Sequence, residues 1–343
     1  MYNVFFKEKN KMTKLDITPI LENALRVVDS HKISDGNYSR WIKLPGMGER
    51  NYGTNAYGCA DAANILYTLG KFPTDLELRA SFVKHLQSMQ NPETGYFTEG
   101  SHHIIHTTAH CTAALELFDA RPLYPFTDML KYLDINEFKK YMTEDYNFLK
   151  SGKAAHAGAG IYASLSINGD ADADWKRAYF DFFDSTCNPE SGLWEKNPDE
   201  DFTRRFQIGD SFHYYFNYGD FHRAMPYPEA LIDSCLDAYK GGMFEAEFGR
   251  QFHFIEMDWL YCMNRASHQT SHRFDEIKET AYSFAKGYID YLQNVDYTND
   301  PNANDLHLLF GVMCALAELQ KMLPGEVESE IGLRHVLDRR PFI

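Results

Sequence analysis

Six segments of this chain are apolar almost all the way round at helical period, and each follows a helical segment that is apolar on one face only. The all-round set is Gly58–Leu69, Thr107–Phe118, Ala154–Ile167, Ile208–Tyr218, Ile255–Ala266 and Leu306–Leu319. A helix without a polar face has to be buried. The one-faced set, exemplified by Leu76–Gln87, Trp175–Phe183 and Phe274–Tyr291, carries charge along one side and belongs at a surface. Strand-like alternation is scarce. The pattern predicts twelve helices at 15–31, 54–70, 75–90, 104–119, 122–133, 154–166, 172–186, 206–220, 227–240, 255–267, 272–294 and 304–322. The stretch 136–150 reads as an extra helix or an extension of the fifth. Six buried helices alternating with six half-exposed ones predict an all-α, two-layer (α/α)6 toroid. It would be a single domain over 15–322, with an N-terminal extension at 1–14 and a C-terminal tail at 323–343 packed against it.

One turn recurs at the junctions from outer to inner helix. Asn91-Pro92-Glu93-Thr94-Gly95-Tyr96-Phe97-Thr98-Glu99 matches Asn188-Pro189-Glu190-Ser191-Gly192-Leu193-Trp194-Glu195-Lys196. Weaker copies are Gly241-Gly242-Met243-Phe244-Glu245 and Asp35-Gly36-Asn37-Tyr38. Asn-Pro ends the outer helix, Gly supplies a positive φ, and the aromatic tucks back between helix ends. Repetition of one turn at successive junctions places those junctions on one rim.

Gln87 followed by Asn91–Phe97, and the second copy ending Gly192-Leu193-Trp194, resemble the glutamine–aromatic turn repeats of terpenoid cyclases and protein prenyltransferases. Ile105-His106-Thr107-Thr108-Ala109-His110-Cys111 resembles the prenyltransferase β-subunit helix that opens with a zinc-ligand His. The resemblance implies an (α/α)6 toroid. It implies no particular reaction, because that barrel carries many chemistries. The cyclase DxDD and synthase DDxxD motifs are absent. Asp170, Asp172 and Asp174 precede an outer helix, where carboxylates cap and meet the positive end. The prenyltransferase zinc set needs an Asp and a Cys two apart, whereas Asp258 and Cys262 stand four apart.

A formal net charge of −15 and no basic cluster beyond Arg204–Arg205 and Arg339–Arg340 argue against a nucleic-acid partner. No apolar run approaches the roughly 20 residues that span a bilayer, and Met1–Lys14 has no signal-type apolar core. The six cysteines are dispersed without a CxxC pair and read as reduced thiols. The expectation is a cytoplasmic protein that contacts neither membrane nor nucleic acid. GxSxG, GxGxxG and GxxxxGK[ST] are all missing, so neither a serine nucleophile nor a nucleotide is suggested.

Polar residues gather at the starts of the buried helices. They are Asn55, Tyr57 and Asp61; His103, His106 and His110; His156; Asp210, His213 and Tyr214; His253, Glu256 and Asp258; and Asn304, Asp305 and His307. In a toroid those starts share one rim. The candidate catalytic residues are Asp61, His213, Glu256 and Asp258. The candidate substrate contacts are Tyr38, Trp41, Asn55, Tyr57, His106, His110, Trp194, Tyr214, Trp259 and His307. Carboxylates beginning an apolar helix are poorly solvated, which raises their pKa toward that of a general acid. The i, i+4 pair His106 and His110 has metal-ligand spacing, and Asp258, Glu256 or His213 would complete a zinc set. No metal ligand set is assigned, however, and no cofactor is expected.

Histidines, carboxylates and amphipathic aromatics on an open rim suit a small-molecule or oligosaccharide substrate. The leading expectation is a glycoside hydrolase or polysaccharide lyase. Hydrolysis would pair Asp61 with Glu256 or Asp258; elimination would use His213 or a Tyr. The alternatives are an isoprenoid cyclase or prenyltransferase-like enzyme and a non-catalytic binding toroid. The C-terminal tail could instead contact a second subunit, which leaves a homo-oligomer open.

Overall fold

The computed structural model describes residues 13–145, 152–194 and 204–343. The fold is all-α. One set of helices is α2 (Ala56–Thr68), α4 (Ile104–Glu116), α6 (Gly152–Asn168), α8 (Arg204–Asp220), α10 (Ile255–Ser267) and α12 (Leu306–Met322). Between them run α1 (Thr18–Ser30), α3 (Leu76–Ser88), α5 (Ile135–Lys140), α7 (Ala173–Thr186), α9 (Pro228–Lys240) and α11 (Phe274–Gln293). Helix α2 packs on α4, α4 on α6, α6 on α8, α8 on α10, α10 on α12, and α12 returns to α2. That circuit is closed and compatible with an (α/α)6 toroid. Among the described residues no helix is long and apolar enough to cross a membrane.

Burial follows the sequence pattern. In α2 every residue from Ala56 to Ile65 is buried, whereas α1 buries only Ile20, Leu21, Ala24, Val27 and Val28. The α1 stripe recurs at helical spacing and faces the inner layer; each such side chain contributes about 1.5–3 kcal/mol before entropy is counted. Small residues let the inner helices approach one another. A Cβ at Gly160 would stand 2.9 Å from the Ile105 side chain.

The repeated turns have the same construction twice. Asn91 N–H donates to Tyr96 O at 2.9 Å, Gly95 N–H to Asn91 O at 2.8 Å, and Gly95 has φ +76°. In the second copy Asn188 N–H donates to Leu193 O at 3.0 Å, Gly192 N–H to Asn188 O at 2.8 Å, and Gly192 has φ +66°. Each turn is then tied to the next inner helix by one hydroxyl. Phe97 N–H reaches Thr108 Oγ1, and Trp194 N–H reaches Ser211 Oγ, both at 3.1 Å.

One expected outer helix is different. Residues 122–129 are not helical; a 3₁₀ turn at Leu130–Leu133 leads into the short α5. Pro122 and Pro125 lack the N–H a helix needs. The Gln90 side chain takes up the local backbone instead, accepting from Leu123 N–H and Tyr124 N–H and donating to Tyr124 O. Gln90 also donates to Gly95 O at 2.7 Å and so braces the turn itself, while Gln87 Nε2 donates to Arg121 O at 2.8 Å just before the prolines. The extra-helix expectation at 136–150 holds for α5 and the π-turn Tyr141–Asp145; its remainder lies outside the described residues.

The tail crosses the C-terminal ends of the inner helices. Val327–Glu328 pairs in parallel with Leu15–Asp16, Arg334 N–H donates to Thr68 O at 2.9 Å, and Arg339 donates to the Glu116 carbonyl at 3.0 Å. The 3₁₀ turn Val336–Asp338 touches both α2 and α8, which stand apart in the circuit. Phe342 then enters the interior, its ring centroid 4.9 Å from that of His106 and 5.3 Å from that of Phe216.

Candidate functional site

A cavity of about 420 Å³ lies at the N-terminal ends of the inner helices. Its wall takes His106 from α4, His156 from α6, Gly209, Asp210 and His213 from α8, Ile255 and Asp258 from α10, and His307 from α12. Arg40, His102, Arg205, His253 and Phe254 stand around it, and Ile343 of the tail reaches its lining. The shared mouth expected from the helix starts is therefore present for His106, His213, Asp258 and His307.

Asp61 does not reach the cavity. It sits fully buried one layer below, accepting from His110 Nε2 at 2.8 Å. His307 Nδ1 stands 3.3 Å from each of its oxygens. Burial alone would push the Asp61 carboxyl up, but His307 and His110 hold it well below the ordinary carboxylate range. Burial lowers His307 to about 4 despite the attraction of Asp61. The arrangement is an anionic Asp61 orienting a neutral His307, whose Nδ1–H points down and whose Nε2 faces away from the carboxylate.

Asp258 borders the cavity with its carboxyl beside Gly209, where a Cβ would stand 3.1 Å from Asp258 Oδ2. Its Oδ1 is buried without a hydrogen-bond partner among the described residues. Burial first, then the Glu256 and Asp210 carboxyls, raise its pKa well above the ordinary value. Both influences disfavour the ionised carboxylate.

Three imidazoles crowd the α4–α6–α8 wall. Ring centroids are 4.7 Å apart for His106 and His156 and 4.5 Å apart for His156 and His213. Burial and mutual repulsion push His106 and His156 well below the ordinary histidine value, and burial takes His213 to about 4. His213 Nδ1 contacts Gly209 O at 2.7 Å, and His106 Nδ1 contacts the Tyr57 hydroxyl at 2.6 Å.

Several expected contacts lie elsewhere. Glu256 is fully buried but turned from the cavity, and it accepts from Gly249 N–H at 2.9 Å and Gln251 Nε2 at 3.0 Å. Burial lifts it to about 7, yet its role is to brace the 249–251 turn. Trp259 donates to Cys235 O and packs on Tyr239 and Phe284. Trp194 donates to Phe183 O and packs on Tyr214. Tyr38 stacks on Phe82. All four aromatics, Tyr214 included, fill the space between layers rather than the mouth. Asn55 caps α2 by accepting from Gly58 N–H at 3.1 Å. Tyr57 and His110 lie beneath the wall, with Tyr57 under His106. Trp41 stands beside the mouth without lining the cavity, its Nε1 donating to Asp305 Oδ2 at 2.7 Å. His106 and His110 do not converge on one point, because His110 is committed to Asp61.

The sequence reading missed Arg40 and Arg205. Arg40 is held by Asp305 at 2.8 Å and Glu99 at 3.2 Å, and Arg205 pairs with Glu245. Asp172 caps α7 as its position suggested, accepting from Trp175 N–H, and Asp305 caps α12, accepting from His307 N–H. Asp210 lies within α8, which runs from Arg204, and stands at the cavity wall. The prenyltransferase-type zinc set does not fit, because Cys262 is fully buried and absent from the cavity lining. No family profile, curated protein or solved structure matches the chain.

Proposed function

We propose that this protein is a carbohydrate-active enzyme of the elimination type, acting on a uronate-containing sugar in the cavity at the helix starts. The carrying observation is that one cavity borders on the Asp258 carboxyl, whose buried Oδ1 has no partner among the described residues, and on the His307 imidazole, whose Nδ1 is backed by the buried Asp61 carboxyl. Environments that push an acid up and a base down leave both in working form at neutral pH. His307 Nε2 would take the proton from the carbon next to the uronate carboxylate. That electron pair would form the carbon–carbon double bond as the neighbouring glycosidic C–O bond breaks, and Asp258 would protonate the departing oxygen. Arg40 and Arg205 border the same space and would face the substrate carboxylate. Elimination is favoured over hydrolysis because Asp61 is sealed beneath His307 and Glu256 faces away, which leaves the expected carboxylate pairs unable to flank a bond.

The test is a panel of uronate oligosaccharides and neutral glycosides, read by the ultraviolet absorbance of the unsaturated product. His307→Asn and Asp258→Asn should each lower kcat by ~10²–10⁴. Saturated products, or full turnover in both variants, would overturn the reading. A second reading, an isoprenoid substrate, draws on the apolar share of the lining, which includes Phe206, Phe254, Leu308 and Ile343. Turnover of a prenyl diphosphate with no activity on sugars would favour it.

A further inference from the structure

Three imidazoles that the elimination does not use meet on one wall of the cavity. His106, His156 and His213 come from three consecutive inner helices, and one ring nitrogen of each lies within 4.8 Å of the others. Like groups this close repel when protonated, and a purely structural cluster would be expected to contain an acceptor such as a carboxylate. Among the described residues, the group of converging ligand atoms holds these three imidazoles and no carboxylate.

The bonds on the far sides of two rings are informative. His213 Nδ1 is taken by the Gly209 carbonyl, which requires Nδ1–H there and leaves Nε2 with its lone pair. His106 Nδ1 is taken by the Tyr57 hydroxyl, which leaves Nε2 as the nitrogen facing its neighbours. Metal-binding histidines are held in this way, with one nitrogen fixed by an outer partner and the other presented to the ion.

We propose that His106, His156 and His213 form a mononuclear site for a borderline divalent cation, zinc foremost, with its remaining coordination position open to the cavity. Neutral imidazoles suit that class of ion, and three protein ligands with one open position describe a reactive rather than a purely structural centre. Zinc–nitrogen bonds of about 2.0–2.1 Å place ligand nitrogens about 3.3 Å apart, so small ring rotations would close the site. Oxygen ligands, either water or an anionic substrate oxygen, would fill the open position.

The neighbouring set Asp61, His110 and His307 also brings three ligand atoms together. It is a different object. There a carboxylate already accepts at 2.8 Å from His110 and stands 3.3 Å from His307, so the groups satisfy one another without an ion.

The metal site is independent of the elimination reading, and its test needs no substrate. The full chain, stripped with a chelator, would be titrated with Zn²⁺ by calorimetry and with Co²⁺ by visible absorption. One equivalent should bind, and Co²⁺ should give the intense bands of a four- or five-coordinate nitrogen site. His156→Ala, at a partly exposed position, and His213→Ala should each weaken binding by at least about 100-fold, at or beyond the limit of an outer-partner loss. His110→Asn should retain one equivalent, and circular dichroism would confirm that each variant is folded. Absence of stoichiometric binding to the folded wild-type chain, or wild-type affinity in both His156→Ala and His213→Ala, would overturn the proposal.

Discussion

Replacing Asp61 with Asn changes little in shape and much in proton bookkeeping. The side chain is fully buried, accepts from His110 Nε2 at 2.8 Å and has His307 Nδ1 at 3.3 Å. An amide keeps one acceptor oxygen and puts an NH2 in place of the other, so His307 Nδ1, 3.3 Å from both positions, would face an N–H donor whichever way the amide lies. Each charge-assisted hydrogen bond is worth about 1.5–3 kcal/mol, so losing two forfeits roughly 3–6 kcal/mol. No longer burying a carboxylate returns several kcal/mol. The net expectation is a loss of about 1–3 kcal/mol, read by denaturant unfolding. His110 can relieve the clash by exchanging its proton, since its Nδ1 has no partner among the described residues. His307 cannot do so without placing a proton on Nε2, where the proposed base needs a lone pair. Its kcat should therefore fall by ~10²–10⁴. Long-range proton–nitrogen correlation spectra would show the tautomer directly, with Nδ1–H in the wild type and a mixture or Nε2–H in the variant. An unchanged tautomer with undiminished turnover would refute the reasoning.

Turnover should rise through about pH 4 as His307 loses its proton and fall again at a pH above the ordinary carboxylate range as Asp258 ionises; a profile with no lower limb near pH 4 would count against His307. Glu318 is buried and held near 2 from an ordinary 4.5, against burial, by His335, Arg265 and Asn264. A depressed acid stabilises above its unfolded pKa, so about 3 kcal/mol should be present at neutral pH and decline as pH falls from about 4.5 to about 2. Glu318→Gln should remove both that stability and its pH slope, as followed by unfolding at several pH values. A Cβ at Gly95 would lie 2.1 Å from Pro125 O and one at Gly192 2.7 Å from Leu231 N, both at positive φ. Alanine at either should cost more than about 1 kcal/mol and lower Tm in a thermal scan. Glu256→Gln should leave kcat essentially unchanged in the assay in which Asp258→Asn loses ~10²–10⁴.

The all-round apolar character of Gly58–Leu69 or Leu306–Leu319 made the buried helices legible, because nothing but burial suits such a segment. The paired turns were legible as well, since Asn91 and Asn188 open the same hydrogen-bonded loop. The 122–133 helix was misread because a glutamine 32 residues before Pro122 takes up its backbone, an interaction with no local signal. At the site, the gathering of helix starts could be read, but side-chain directions could not. Glu256 and Asp258 are two residues apart, which turns them about 200° around a helix, so one faces the cavity and the other the outer layer. His106 and His110 share a face yet differ by about 6 Å in height, enough to give them different partners. The Asp61–His307 pair joins positions 246 residues apart and belongs to the fold alone. Trp194 and Trp259 suggested a sugar platform from their positions near helix starts; their indole N–H groups are instead satisfied by backbone carbonyls between the layers.

The central claim is that the starts of α4, α6, α8, α10 and α12 open on one cavity. A high-resolution crystallographic map of the full chain tests it most directly. The account predicts the rings of His106, His156, His213 and His307 and the Asp258 carboxyl around a single space, with Asp61 beneath His307. A map in which His106, His213 and Asp258 face separate surfaces would contradict it.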